Sequence, residues 1–197
     1  MIKFYSITRK VESRSIVELE EKTSTIDIKS LLFQYLLVST KKRLPDDFSF
    51  SVVKGKRWTD VIYMHEAASH KFYSQTLIDV LGLFIDLTDK CYPINIIEEA
   101  PCNYYMIYNL KEFPLYKDPN NVLSRYFEIT TDYPSLFTIK DSNFCICTLE
   151  VKQAIEKMKI SNVEFNEIYG LTKDECNALG LQLWKKICDS WKVLRIT

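Results

Sequence analysis

The sequence predicts an α+β domain, with mixed or antiparallel sheet built around two strand–helix–strand units and a C-terminal amphipathic helix packed on the sheet. Three observations lead there. Short runs rich in Ile, Val, Phe and Tyr recur along the chain, two of them run directly into stretches of helical spacing, and Thr172-Lys173-Asp174-Glu175 carries a helix-start signature. With 197 residues, 47% of them hydrophobic and only four glycines, the chain has apolar material for one packed domain over residues 1–197. Residues 1–58 are a candidate subregion ahead of a repeat-containing core at 59–197. The same composition excludes disordered and collagen-like chains.

Residues 2–8 alternate and predict a first strand, whereas Val11 to Lys29 has no clear period. Leu31 to Val38 is a short apolar run that fits a buried strand or part of a helix, and is too short to span a bilayer. Asp60 to Met64 reads as a strand, and Glu66-Ala67-Ala68-Ser69 as the hairpin connection after it. Phe72-Tyr73-Ser74 then ends a β-prone run, and Leu77, Ile78, Leu81 and Phe84 follow at helical spacing. The pattern returns 74 residues later, where Phe144 to Thr148 leads into Val151, Ala154, Ile155 and Met158. Ser74 and Thr148 stand at equivalent places, each suited to accept from the unpaired N–H groups of a starting helix. Strands are expected after both helices, at Ile94 to Ile97 and at Val163 to Ile168. Tyr104 to Leu110, Tyr126 to Ile129 and Leu136 to Lys140 are further β-prone stretches. Pro114 to Asn121 is rich in turn residues and reads as a surface loop. The final helix starts at the Thr172/Glu175 box and carries Cys176, Leu179, Leu183, Trp184, Ile187 and Trp191 on one stripe.

Charge is balanced at 26 basic and 26 acidic residues, which does not favour a dedicated nucleic-acid binder. It is unevenly placed, however. Residues 61–135 hold 5 basic against 10 acidic side chains, an asymmetry that can steer a basic protein partner. Glu98, Glu99, Tyr116 and Asp118 are the candidate partner contacts, because acidic edges and loops are where partners are met. Glu98 and Glu99 are read as pointing to opposite sides of a strand. No membrane partner is expected, and the N-terminus lacks the pattern of a secretory signal, so a cytoplasmic location is the simpler expectation. Oligomeric state stays open.

Catalytic chemistry finds little material. The six cysteines form no C-x-x-C pair, and Cys145 and Cys147, two apart, read as buried core thiols. The two histidines, His65 and His70, are one residue too far apart for the His-Glu-x-x-His zinc helix. Neither a Gly-x-Ser-x-Gly elbow nor a glycine-rich phosphate cradle is present. No cofactor, no metal and no catalytic residue is therefore expected. The enzyme alternative that remains is a thiol nucleophile, Cys102 or Cys91, with His70 as base. A structural or assembly subunit that oligomerises through the Trp184/Trp191 stripe is the other alternative.

The order of segments carries a resemblance. It runs through Thr59-Asp60-Val61-Ile62, Lys71 to Leu81, Ile94-Asn95-Ile96-Ile97, Tyr104 to Leu110, Ser135 to Lys140, Cys145-Ile146-Cys147-Thr148 and Val163 to Ile168. Over roughly residues 59–170 this resembles a family of bacterial immunity proteins associated with polymorphic toxin systems. In that family a strand ends in Ser before an amphipathic helix, a Tyr-Tyr strand follows, and a Gly-x-x-Phe strand closes the unit. Asn162-Val163-Glu164-Phe165 stands here without that glycine, and no acidic pair follows Asn109-Leu110. The resemblance implies a non-enzymatic protein that neutralises a cognate toxin by direct contact. It carries no catalytic residues.

Overall fold

The computed structural model describes residues 1–10, 15–22, 49–65, 67–118, 121–140 and 144–183. In chain order the elements are β1 (Ile2–Thr8), β2 (Glu18–Lys22), β3 (Ser49–Lys54), β4 (Val61–Met64), β5 (Ala67–Ser74), α1 (Gln75–Gly82), β6 (Cys91–Pro93), β7 (Asn95–Ile96) and β8 (Tyr104–Ile107). They continue as β9 (Glu112–Phe113), β10 (Leu115–Asp118), β11 (Asn121–Glu128), β12 (Leu136–Ile139), β13 (Cys145–Cys147), α2 (Leu149–Lys157), β14 (Glu164–Leu171), α3 (Lys173–Ala178) and β15 (Gln182–Leu183).

The fold is α+β, mostly sheet with few helices, and both sheets are mixed. One has the order β15-β10-β11-β14-β1-β13-β12-β9, and the other β6-β8-β5-β4-β2-β3-β7. Most neighbours are antiparallel, but β11 with β14, β9 with β12, β2 with β4 and β3 with β7 run parallel. Among the described residues, the four strands at the sheet ends are each only two or three residues long.

Period-two alternation gives each sheet two buried faces. The inner faces share a core in which Tyr5, Ile7 and Cys147 meet Val61, Tyr63 and Tyr73, together with Leu77 and Leu81 of α1 and Val151 and Ile155 of α2. The outer face of the seven-stranded sheet gathers Leu19, Phe50, Ile62, Phe72 and Tyr104. That of the eight-stranded sheet gathers Phe4, Phe113, Phe127, Phe137 and Ile146. Within this last cluster Phe4 packs edge-on against Phe127 and Phe137, with ring centroids 5.2 Å apart in both pairs. Gly170 sits beneath it, where a Cβ would lie 2.6 Å from Ile129 and 2.9 Å from Phe4, so the absence of a side chain is what lets the rings close.

Polar bonds tie the sheets together. The buried Lys71 ammonium donates to the Ile7 carbonyl at 2.8 Å. Asp60, just ahead of β4, accepts from Ser74 Oγ at 2.5 Å, from Ser161 N at 2.7 Å and from Ser161 Oγ at 2.6 Å. Ser161 lies in the turn between α2 and β14, so one carboxylate joins the start of α1 to the far half of the chain. Gly55 makes the other close approach. Its φ of +77° and a notional Cβ 2.1 Å from the Ile16 carbonyl oxygen leave room only for hydrogen, and Lys56 N beyond it donates to Ser15 O at 2.8 Å.

Several expectations need correction. Ser74 caps α1 by accepting from Leu77 N, but Thr148 makes no side-chain cap bond, and its hydroxyl is buried without a hydrogen-bond partner among the described residues. The hairpin turn after β4 is shorter than expected, because Ala67–Ser69 already belong to β5. The span 94–97 is not one strand: β6 ends at Pro93, and β7 pairs at the opposite end of the sheet. Segment 115–118 is a strand rather than a loop. The Thr172/Glu175 capping box forms with both reciprocal bonds, yet α3 ends at Ala178. Leu179 then caps it exposed, Gly180 takes a left-handed φ of +64°, and Leu183 enters β15, also exposed. Trp184, Ile187 and Trp191, like the stretch Leu31 to Val38, lie outside the described residues. No helix among the described residues is long and apolar enough to cross a membrane.

Candidate interaction surface

The inner face of the eight-stranded sheet is covered by α2 near β1 and β13, and it continues past β14 toward β15. Strand registers line up one row there. Leu183 pairs with Tyr116, Tyr116 with Tyr126, Tyr126 with Tyr169, and Tyr169 with Lys3. Directly opposed residues share a face, so three tyrosines form a ladder across β10, β11 and β14. Their sequence neighbours Leu115, Phe127 and Ile168 turn to the opposite, phenylalanine-rich face. The tyrosines are half-buried, whereas Lys3 and Leu183 at the ends of the row are exposed.

Carboxylates hold the ladder. Tyr116 Oη donates to Glu128 at 2.6 Å, and Tyr169 Oη donates to Glu167 at 3.1 Å. Lys3 Nζ donates to the other Glu167 oxygen at 3.0 Å. The bond to Glu128, with lesser contributions from burial and charge, pushes the Tyr116 hydroxyl up to about 12, so it remains a donor at neutral pH. Hydrogen bonds from Lys3 and Tyr169 hold the Glu167 carboxyl below its ordinary value. Beside the row, the Lys152 ammonium lies 5.2 Å from the Tyr5 ring centre and 5.5 Å from that of Phe165. The surface is thus aromatic, with fixed acceptors and the ammonium groups of Lys3 and Lys152.

The expected contact residues are scattered. Tyr116 is in the ladder. Asp118 lies two residues on in β10, opposite Asn121. Glu98 and Glu99 follow β7 at an end of the other sheet, and they are not in a strand. Glu98 has a structural task there, since its carboxylate accepts from Val52 N at 2.9 Å. Glu99 is exposed. The structure therefore places Tyr116 with Tyr126, Tyr169, Glu128, Glu167 and Lys3, which sequence reasoning missed. A local signal existed in the alternation of Tyr126 with Glu128 and of Glu167 with Tyr169. The parallel register that joins the two strands has no local signal.

Nucleophilic chemistry meets a different environment. Burial pushes the Cys91 thiol up to about 11 and that of Cys145 up to about 12, and raises Cys147 and Cys176 as well, which disfavours thiolate. His70 is buried in β5, and alternation places it on the outer face with Phe72, away from Cys91 in the shared core. Cys102 packs against the outer cluster. His65 Nδ1 lies 2.8 Å from Glu18, whose other oxygen accepts from Lys54 at 3.1 Å. Among the described residues no three His, Cys, Asp or Glu side chains converge as a metal site would require. Comparison with protein-family models and with curated proteins finds no match to the chain.

Proposed function

We propose that this chain is a non-enzymatic binding protein, an immunity protein that neutralises a cognate bacterial toxin in the cytoplasm by covering part of its surface. The tyrosine ladder carries the reading. Tyrosine is enriched in protein interfaces because it supplies a large contact area at little conformational cost, and Glu128 and Glu167 already hold two of these hydroxyls in place. The strand–helix–strand segments β5–α1–β6 and β13–α2–β14 act as scaffold in this reading. Short end strands favour contact through a sheet face over strand addition. The acidic bias of residues 61–135 and the family resemblance add support from the sequence.

The test is co-expression of the full chain with the product of the adjoining open reading frame, followed by titration calorimetry on the purified pair. The double variant Tyr126→Ala/Tyr169→Ala is expected to weaken binding by about 100-fold, since interface anchors typically cost 1–2 kcal/mol or more each. An unfolding midpoint close to that of the parent shows that the fold is kept. Failure of the neighbour to bind, or undiminished binding by a folded double variant, overturns the reading.

A further inference from the structure

We infer that the chain contains two copies of one folding unit, and that the second copy is completed by the chain's own first strand, as in a circular permutant. One half of the fold runs β6-β8-β5-β4-β2 across its sheet, and the other runs β14-β1-β13-β12-β9. Strand senses agree at every step. The first three neighbouring pairs are antiparallel in both halves, and the fourth, β4 with β2 and β12 with β9, is parallel in both.

The agreement extends to individual bonds. Ser74 N, entering α1, donates to Asp60 O at 2.9 Å, and Thr148 N, entering α2, donates to Ser135 O at 3.1 Å. Just past the first strand of each hairpin, His65 N donates to Leu19 O at 2.6 Å and Lys140 N to Phe113 O at 2.8 Å. Val61 opposes Tyr73 on the inner face where Leu136 opposes Cys147, and Ile62 opposes Phe72 on the outer face where Phe137 opposes Ile146. Tyr105 meets Tyr73 as Tyr5 meets Cys147. Two unrelated hairpins share strand sense easily, whereas matched register, matched facing and matched turn bonds together need a common unit.

Chain order breaks the correspondence at one place. In the first unit β8 follows β6 in sequence, but the equivalent slot beside β14 is filled by β1. Ile2 pairs with Gly170, so β1 begins beside the end of β14 and runs antiparallel to it, where a continuing chain would have turned back. Insertions also differ. The segment between β2 and β4 adds β3 outside β2, whereas the segment between β9 and β12 adds β10 and β11 outside β14. Two strands of the tyrosine ladder therefore belong to no common element of the units.

Two permutants of the full chain test this. The first runs from Ser15 to Thr197, then through a Gly/Ser linker into residues 1–14, which returns β1 to the chain position that β8 holds. The second joins residues 197 and 1 in the same way but opens the chain at residue 66, between β4 and β5 in sequence. The expected result is one cooperative urea transition for the first, with the parent's m-value and protection of β1 amides from exchange, and loss of cooperativity for the second. Native exchange on the unaltered chain provides the second measurement, in which β1 amides are expected to open together with those of β13 and β14. No cooperative transition for the first permutant, equal folding of both permutants, or β1 amides that exchange independently of β13 and β14 overturns the inference.

Discussion

Replacing Asp60 by alanine removes one acceptor and strands three donors. Ser74 Oγ, Ser161 N and Ser161 Oγ all point at this half-buried carboxylate, at 2.5 to 2.7 Å. A hydrogen bond to a charged group contributes ~1.5–3 kcal/mol, and solvent partly replaces those lost at a half-buried site. The expected cost is therefore about 3 kcal/mol, a fall of roughly 1.5 M in urea midpoint at an m-value of ~2 kcal/mol/M. Urea unfolding followed by circular dichroism measures it, and a double-mutant cycle with Ser161→Ala isolates the link across 101 residues of chain. The expected coupling is about 1–2 kcal/mol, with an unchanged m-value. Ser161→Ala removes a hydroxyl that donates to the carboxylate and accepts from Asp60 N at 2.9 Å but leaves the Ser161 N–H bond, so it loses two hydrogen bonds where Asp60→Ala loses three, and it costs less. A coupling indistinguishable from zero, together with an unchanged urea midpoint in Asp60→Ala, would refute the idea that this carboxylate fastens the two halves of the molecule.

Two further outcomes follow from the titrating groups. Burial raises the Glu18 carboxyl, but hydrogen bonds from His65 and Lys54 outweigh it and leave the group below its ordinary value of 4.5. Its contribution to stability is therefore complete above that value and fades as pH falls through the folded-state value, so the difference in Tm between the parent and Glu18→Gln should shrink below pH 4.5. A difference that grows on acidification contradicts this. Burial pushes the Cys145 thiol up to about 12, so little of it is thiolate at neutral pH, and the side chain is buried from reagent besides. Iodoacetamide at pH 7 should leave Cys145, Cys147 and Cys176 unmodified in the native protein and label them in urea, as mass spectrometry of peptides would show; labelling at the rate of a free thiol contradicts it.

Local chemistry was legible and long-range pairing was not. The Thr172/Glu175 box and the Ser74 cap were readable because both partners lie within three residues. Thr148 has the same local signal, yet its hydroxyl is buried without a cap bond among the described residues. Helical spacing through Leu179 and Leu183 suggested continuity, yet Gly180 in a left-handed conformation ended the helix and β10 drew Leu183 into a sheet. Pro114 and Pro119 bracket a short strand and disguised it as a loop. For the interaction surface, each tyrosine was visible singly, but only the parallel pairing of β11 with β14 makes them a row. The charge of Glu98 marks it as a contact, whereas its carboxylate satisfies a backbone donor of β3, a pairing between residues 46 apart that carries no local signal.

The brevity of the strands at both ends of each sheet has a consequence for the protein in bulk. A long unpaired strand is a template on which like molecules stack, and two or three residues, one of them Pro93 in β6, give such growth almost no foothold. The described sheet edges should therefore not seed fibres in concentrated solutions of the folded chain, even though so much of the sequence is β-prone.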